Sequence, residues 1–251
     1  WDYRELLYFL AWRDLKARYS QTVMGLAWAV VQPLFMMLVF TVIFSKIAGL
    51  PSDGIPYPLF AYAALVPWTY FSKSLDRSGF SVVAESNLIT KIYFPRLIIP
   101  ISATLGGLID FMIAFLLLLG MMAWFGVLPT WKLLAVPLFL LLTVFASLAV
   151  SLWLSALYVR YRDIAALIPL LTQVWMFASP VAYSVNTIPQ KWQWLYNLNP
   201  MVGVITGFRW ALLGTPAPDP ALLTLNVVMI AAFLFFGMAY FNRMANTFAD
   251  V

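Results

Sequence analysis

The chain has 251 residues, of which 63% are hydrophobic and only 10% charged, and its mean hydropathy is +0.88. Soluble domains carry about 25% charged and 45–50% apolar residues, so this balance excludes a water-soluble globular protein and specifies an integral membrane protein. The 15 Lys and Arg outnumber the 10 Asp and Glu, and the absence of Cys and His removes disulfides, thiolate chemistry, the usual proton shuttle and most metal sites.

Taken in order, 1–21 has no apolar run long enough to span a bilayer. Tyr3, Leu6, Leu7 and Leu10 recur at i, i+3, i+4 and i+7, the spacing of one helix face, among Arg4, Arg13, Lys16 and Arg18. This reads as an amphipathic helix in the headgroup plane, against the plainer alternative of a basic leader that only sets orientation. It lacks the apolar core and small-residue cleavage site of a signal peptide.

A helix needs about 20 mostly apolar residues to cross the hydrocarbon core. Six segments are predicted to do so: 23–44, 57–78, 101–125, 133–158, 164–183 and 222–240. Pro33, Pro67 and Pro169 lie inside three of them and are expected to kink them. Asp110 is the one charge in the third segment, and its expected role is to pair with Lys73 or Arg77. The stretch 184–221 differs, with Pro189, Pro200, Pro216, Pro218 and Pro220 beside Trp192, Trp194 and Trp210. It reads as two short re-entrant or interfacial helices hinged at Asn199-Pro200. The fold class is therefore all-α, one membrane domain over 1–251.

Six spans put both termini on one face. That face takes eleven of the 15 Lys and Arg (Arg4, Arg13, Lys16, Arg18, Lys73, Arg77, Lys91, Arg96, Arg160, Arg162, Arg243) and leaves Lys46, Lys132, Lys191 and Arg209 on the other. Cytoplasmic loops carry the Lys/Arg excess, so both termini are expected in the cytoplasm and 184–221 outside.

Between the second and third spans lies a mixed island, 85–100, with Glu85, Lys91 and Arg96 among apolar residues. Ser86-Asn87 suits a helix N-cap and Pro95 a helix end. A short cytoplasmic helix of this kind suits a contact with a partner protein; a lipid-interface turn is the alternative. No Gly is followed by Lys, so there is no phosphate-binding G-x-x-x-x-G-K-[ST] loop, and no close pair of acids or nucleophile–base arrangement advertises catalysis. Neither a catalytic nor a metal site is assigned. What remains is an excess of aromatics. Trp28, Phe35, Trp68, Tyr70, Phe71, Trp175, Phe177 and Tyr183 could form rungs of a channel for a sliding carbohydrate, whose apolar C–H faces stack on rings; packing and interface anchoring are the competing roles.

Arg13-Asp14-Leu15-Lys16-Ala17-Arg18-Tyr19-Ser20-Gln21-Thr22-Val23-Met24-Gly25-Leu26-Ala27-Trp28, followed by Gln32-Pro33-Leu34, resembles the N-terminal part of ABC-2 type polysaccharide export permeases. Leu65-Val66-Pro67-Trp68, Lys91-Ile92-Tyr93-Phe94-Pro95-Arg96, Arg160-Tyr161-Arg162-Asp163, and Ser179-Pro180 through Asn199-Pro200 are similar to the same family, in the same order along nearly the whole chain. The O-antigen and teichoic-acid exporters are the nearest in style.

The resemblance implies a homodimer in the bacterial inner membrane, bound to two separate nucleotide-binding ATPase subunits that hold ATP and Mg, with no cofactor in this chain. Its substrate would be a lipid-linked polysaccharide, its surroundings membrane lipids, and nucleic acid no partner. It implies an ATPase-coupling helix at Asn87, Leu88, Ile89, Thr90, Lys91 and Ile92. Arg13, Lys16, Arg18, Arg160 and Arg162 would attract the lipid diphosphate, and Trp192, Trp194, Asn199 and Pro200 would belong to an outer gate. A permease for a small lipid or drug, and a membrane transferase acting on polyprenyl-linked sugars, are the rival readings.

Overall fold

The structure, a computed structural model, describes residues 3–20 and 27–245, with the backbone alone for 18–20. Trp1, the beginning of the predicted first span at Val23, the tail 246–251 and the side chain of Arg18 lie outside the described residues. The described residues form helices and turns, with no strand among them. Among the described residues, four helical stretches are long and apolar enough to cross a membrane: Trp28–Ile47, Ile98–Trp124, Trp131–Arg160 and Pro220–Met244.

Helix α1 spans Arg4–Ser20. Its Leu6, Leu7 and Leu10 face packs on protein, where Leu10 is buried beside Val82, Ile89, Phe94, Ile99 and Phe241. Tyr8, Phe9 and Trp12 project outward instead. The leucine stripe that the periodicity offered to lipid is therefore a packing seam, and α1 presents an aromatic face in its place.

Helix α2 (Trp28–Phe40) runs through Pro33 and continues into a wider i→i+5 turn over Thr41–Ile47. Together these 20 residues rise about 30 Å, the thickness of a hydrocarbon core. Helix α3 (Tyr57–Ala84) passes through Pro67 and extends six residues beyond the predicted end at 78. Its first half is buried on every side, from Leu59 through Trp68, and it packs against α2 and against the helices Ile98–Leu105, Leu108–Trp124, Val136–Arg160, Ile164–Phe177 and Pro200–Leu213. A helix that is apolar all round belongs at the centre of a bundle.

The predicted third span is two helices, α5 (Ile98–Leu105) and α6 (Leu108–Trp124), joined through Gly106-Gly107. A Cβ on Gly107 would lie 3.1 Å from Arg77 Nη1 and 3.2 Å from the Tyr70 ring, so the missing side chain lets α3 approach here. Helix α4 (Ser86–Lys91) lies between α3 and α5. Ser86 is its first helical residue and forms no cap; Glu85 holds the N-cap position without a side-chain cap bond. The helix ends at Lys91, because Ile92 is already extended, four residues before the Pro95 expected to end it.

Helix α7 (Val136–Arg160) lies along α3. Thr143, Ser147, Ser151 and Ser155 recur every fourth residue and are buried. The Thr143 and Ser147 hydroxyls donate to the carbonyls of Phe139 and Thr143, each at 2.7 Å. Small residues let two backbones come close without a hydrophobic drive from water. The Ser155 hydroxyl donates back to the Leu152 carbonyl at 3.2 Å, while Ser151 Oγ is buried without a hydrogen-bond partner. Helix α8 (Ile164–Phe177) holds Pro169 and ends in the turn 178–183. The predicted 184–221 stretch contains α9 (Gln190–Tyr196) and α10 (Pro200–Leu213), and α11 (Pro220–Met244) closes the fold.

One end of the bundle gathers α1, α4 and the C-terminal ends of α3, α7 and α11 around Leu10, Val82, Ile89, Phe94, Ala156 and Phe241. This is the basic end. The far end holds the loop at Asp53, the turn 178–184, α9 and α10.

Candidate functional site

Three regions carry the polar chemistry. The first is a groove of about 530 Å³ between α2, α3 and α8. Gln32, Ser72, Thr172 and Gln173 contribute amides and hydroxyls, Lys73 and Asp76 charge, and Trp68 and Phe177 rings.

The eight aromatics singled out in the sequence separate into groups. Trp68 and Phe177 line the groove. Phe71 lies between Trp68 and Trp175, with ring centroids 5.5 and 5.1 Å away, and is fully buried. Tyr70 is buried and donates to the Thr104 carbonyl at 3.1 Å. Trp28 and Phe35 are exposed on α2. Tyr183 lies in the far-end turn and donates to the Phe177 carbonyl at 2.8 Å.

Beside the groove, Arg77 Nη2 meets Asp110 Oδ2 at 2.5 Å. Asp110 sits in the first turn of α6, where the helix dipole also favours a negative charge. The pair answers the question that a carboxylate in an apolar helix raises, since an isolated charge there would be expensive.

The second region is at the basic end. Ile89 is buried and fastens α4 to the bundle, while Asn87, Thr90, Lys91 and Ile92 are exposed and Leu88 is half-buried. Tyr93 stands 97% exposed, which singles it out, because a ring of that size is rarely left uncovered. A cavity of about 610 Å³ runs along this edge between Thr90, Tyr93, Arg96, Tyr3 and Asn242.

The predicted phosphate-attracting cations differ in their surroundings. Lys16 is exposed. Arg160 and Arg162 are exposed too, lying 5.4 and 5.5 Å from the ring centroids of Tyr161 and Tyr158. Arg13 is engaged. Its Nη1 donates to Glu85 Oε2 at 3.3 Å, its Nη2 to Glu85 Oε1, and its Nη2 also to Asp14 Oδ1 at 3.0 Å. The Glu85 bond raises the Arg13 pKa above its ordinary value, with partial burial acting against it.

The third region is at the far end. Asn199 is the N-cap of α10 and Pro200 its first residue, a pairing that satisfies an orphan N–H and pre-sets the helical φ. Asn199 Oδ1 accepts from Met201 N at 3.0 Å and from Trp175 Nε1 at 2.8 Å. Its Nδ2 donates to the Ala178 carbonyl and to Ser179 Oγ. One side chain thus ties α8, the following turn and α10 together. Trp192 and Trp194 are exposed on α9. Tyr196 donates to Tyr183 Oη at 3.1 Å, and burial pushes the Tyr196 phenol up.

Arg209 was counted in the sequence only as a far-side charge. It is buried within α10 and donates to the carbonyls of Phe60, Tyr183 and Val181 at 3.2, 3.2 and 2.9 Å. Its guanidinium stacks 3.4 Å from the Phe60 ring centroid. An arginine in the apolar run Val202–Leu213 was the signal that could have found it, by the reasoning already applied to Asp110.

An all-helical bundle with several membrane-length spans, a polar–aromatic groove and a short exposed helix at its basic end defines a multi-pass membrane protein. The chain belongs to the ABC-2 type transporter family, whose sequence profile matches residues 5–213. The O-antigen export system permease protein RfbA of Myxococcus xanthus is 29% identical over 253 aligned positions, covering 100% of this chain and 96% of that protein. RfbA of Klebsiella pneumoniae is 26% identical, with 98% and 95% covered. The polysialic acid transport protein KpsM of Escherichia coli is 24% identical, with 92% and 90% covered.

Proposed function

We propose that this chain is the permease subunit of an ATP-driven exporter that moves a lipid-linked, O-antigen-like polysaccharide across the bacterial inner membrane. The observation that carries the reading is the end-to-end likeness to permeases named for O-antigen export. The active unit is a homodimer with two nucleotide-binding subunits, and ATP and Mg are bound there. The chain spans the membrane six times. The four long apolar stretches are joined by α3, whose 28 residues rise about 42 Å, and by α8 with its following turn. Both termini and the basic end lie in the cytoplasm, consistent with the distribution of Lys and Arg.

In this reading α4 is the element that receives motion from the ATPase. Buried Ile89 attaches it to the bundle, and exposed Asn87, Thr90, Lys91 and Ile92 face the partner. The groove between α2, α3 and α8 forms one wall of the glycan path. Its amides and hydroxyls can exchange hydrogen bonds with sugar hydroxyls, and Trp68 and Phe177 offer faces to sugar C–H groups. Lys16, Arg18, Arg160 and Arg162 attract the lipid diphosphate at the entrance. The α9–α10 segment, with Trp192 and Trp194, gates the outer exit.

The test is co-purification with the candidate ATPase, and ATP hydrolysis by the complex, for the native chain and for Asn87–Ile92 replaced by alanine. Stable association that is lost or uncoupled in the variant is the expected result. A native chain that binds no ATPase, or a variant that couples normally, refutes the reading.

A further inference from the structure

Building on the transport reading, we propose that the Arg13–Glu85 pair is an exchange site for lipid-borne phosphate. An incoming phosphate or diphosphate takes the Arg13 guanidinium, and the released Glu85 reports occupancy to α4.

Three observations meet at this point. The first is chemical. Arg13 presents both Nη atoms to the two carboxylate oxygens of Glu85, a fork that fits two oxygens of a phosphate equally well. Glu85 therefore occupies the position an anionic ligand would take. The pair is only part-buried, with side-chain exposures of 39% and 22%, so water and a competing anion can reach it.

The second is the space around the pair. A cavity of about 450 Å³ lies between α1, α3 and α5, with Arg13 and Glu85 in its wall. Arg77, held by Asp110, supplies a second guanidinium to the same wall, and Leu10 and Phe80 supply apolar surface. Two guanidiniums beside apolar surface suit a phosphate carried on a lipid. Trp12, next to Arg13, is exposed on the aromatic outer face of α1.

The third is the place of Glu85 in the chain. Its N–H donates to the Ser81 carbonyl at 3.0 Å, ending α3. Its own carbonyl accepts from Leu88 N at 2.9 Å and Ile89 N at 3.1 Å, starting α4. Glu85 is the joint between the central helix and the short exposed one. Its side chain is the one ion-pair tie from this joint to α1 among the described residues. Releasing it frees the joint, while buried Ile89 keeps α4 attached. Ligand arrival at α1 is thus converted into altered freedom of α4 through the exchange of a single ion pair.

The phosphate can come from a polyprenyl diphosphate or from an anionic phospholipid headgroup, and direct binding separates the two. The purified full chain, in phosphatidylcholine nanodiscs, is titrated with farnesyl diphosphate or prepared with graded phosphatidylglycerol. Tryptophan fluorescence is the readout, with Trp12→Phe assigning the signal. Glu85→Gln removes one of the two carboxylates on Arg13, leaving Asp14 on Nη2, and should tighten binding about fivefold, the factor to which ~1 kcal/mol of a part-exposed ion pair converts. Arg13→Gln should abolish it. Tightening for farnesyl diphosphate alone supports the exchange with a diphosphate lipid as source; tightening for phosphatidylglycerol supports it with the bilayer as source. Equal affinity of Glu85→Gln and the native chain for both lipids overturns the proposal. Should Glu85→Gln misfold, Arg13→Lys keeps the charge but loses the fork, and unchanged affinity in that variant overturns it equally. These measurements need no ATPase. A chain that shows the exchange yet stimulates no ATPase in the assembled complex refutes the transport reading and leaves the exchange standing.

Discussion

Replacing Arg209 by methionine removes a buried cation from the centre of the far end while nearly keeping side-chain length. The Phe60 carbonyl lies inside α3 and retains its helical partner. The carbonyls of Val181 and Tyr183 lie in an irregular turn and accept from Arg209. Each buried group left without a partner costs about 1–3 kcal/mol, and the lost stacking on Phe60 adds about 1–2 kcal/mol. Two forces oppose this: methionine need not be desolvated as a cation, and water can enter from the adjoining cavity of about 250 Å³ lined by Asp53, Ser184, Asn186 and Arg209. The expected net loss is ~3 kcal/mol. Reversible unfolding by SDS in mixed micelles reads it as a lower midpoint. Arg209→Lys should fall between the two, because an ammonium cannot meet three divergent carbonyls in one plane. A methionine variant that unfolds at the native midpoint would show that this guanidinium does not hold the 178–184 turn on α3 and α10.

Three further predictions concern the packing. A Cβ at Gly207 would lie 2.0 Å from the Phe139 ring, so Gly207→Ala should destabilise by about 1–3 kcal/mol, and Phe139→Leu in the same chain should restore part of it. The SDS midpoints of the single and double variants give the coupling. Asp110→Asn takes the carboxylate from Arg77 and should cost about 3 kcal/mol, with Asp110→Asn/Arg77→Gln less damaging than the sum of its parts; additive losses would refute the pairing. Asn199→Ala leaves Met201 N and Trp175 Nε1 without their acceptor and should cost about 2 kcal/mol, with faster proteolysis of the 178–199 segment than in Asn199→Asp, which keeps the cap.

Much of the candidate site was legible because membrane chemistry makes polar residues conspicuous. Asp110 in an apolar run required a partner, and Arg77 was one of two cations within reach of it. The short helix 86–91 could be read from a polar island bracketed by spans. Its boundaries were misread because Ser86 and Pro95 are common boundary residues, whereas the end is set by Ile92 turning extended. The aromatic rungs were less legible. Composition does not distinguish Phe71, sealed between Trp68 and Trp175, from Phe177 on the groove, since each ring is apolar and which way it faces depends on neighbours distant in sequence.

Sequence alone determined the quantities that lipid imposes on any chain: helical spans of about 20 apolar residues, breaks where Pro and Gly collect, and a lopsided distribution of Lys and Arg. These are local or additive properties, which a linear string states fully. Only the tertiary structure decided that Arg13 is held by Glu85, 72 positions away, and that Arg209 reaches Phe60 across 149 positions. It likewise turned the leucine face of α1 inward onto Val82, Ile89 and Phe241. Each of these rests on a contact between groups far apart in the chain, and periodicity carries no information about which distant surface a face will meet.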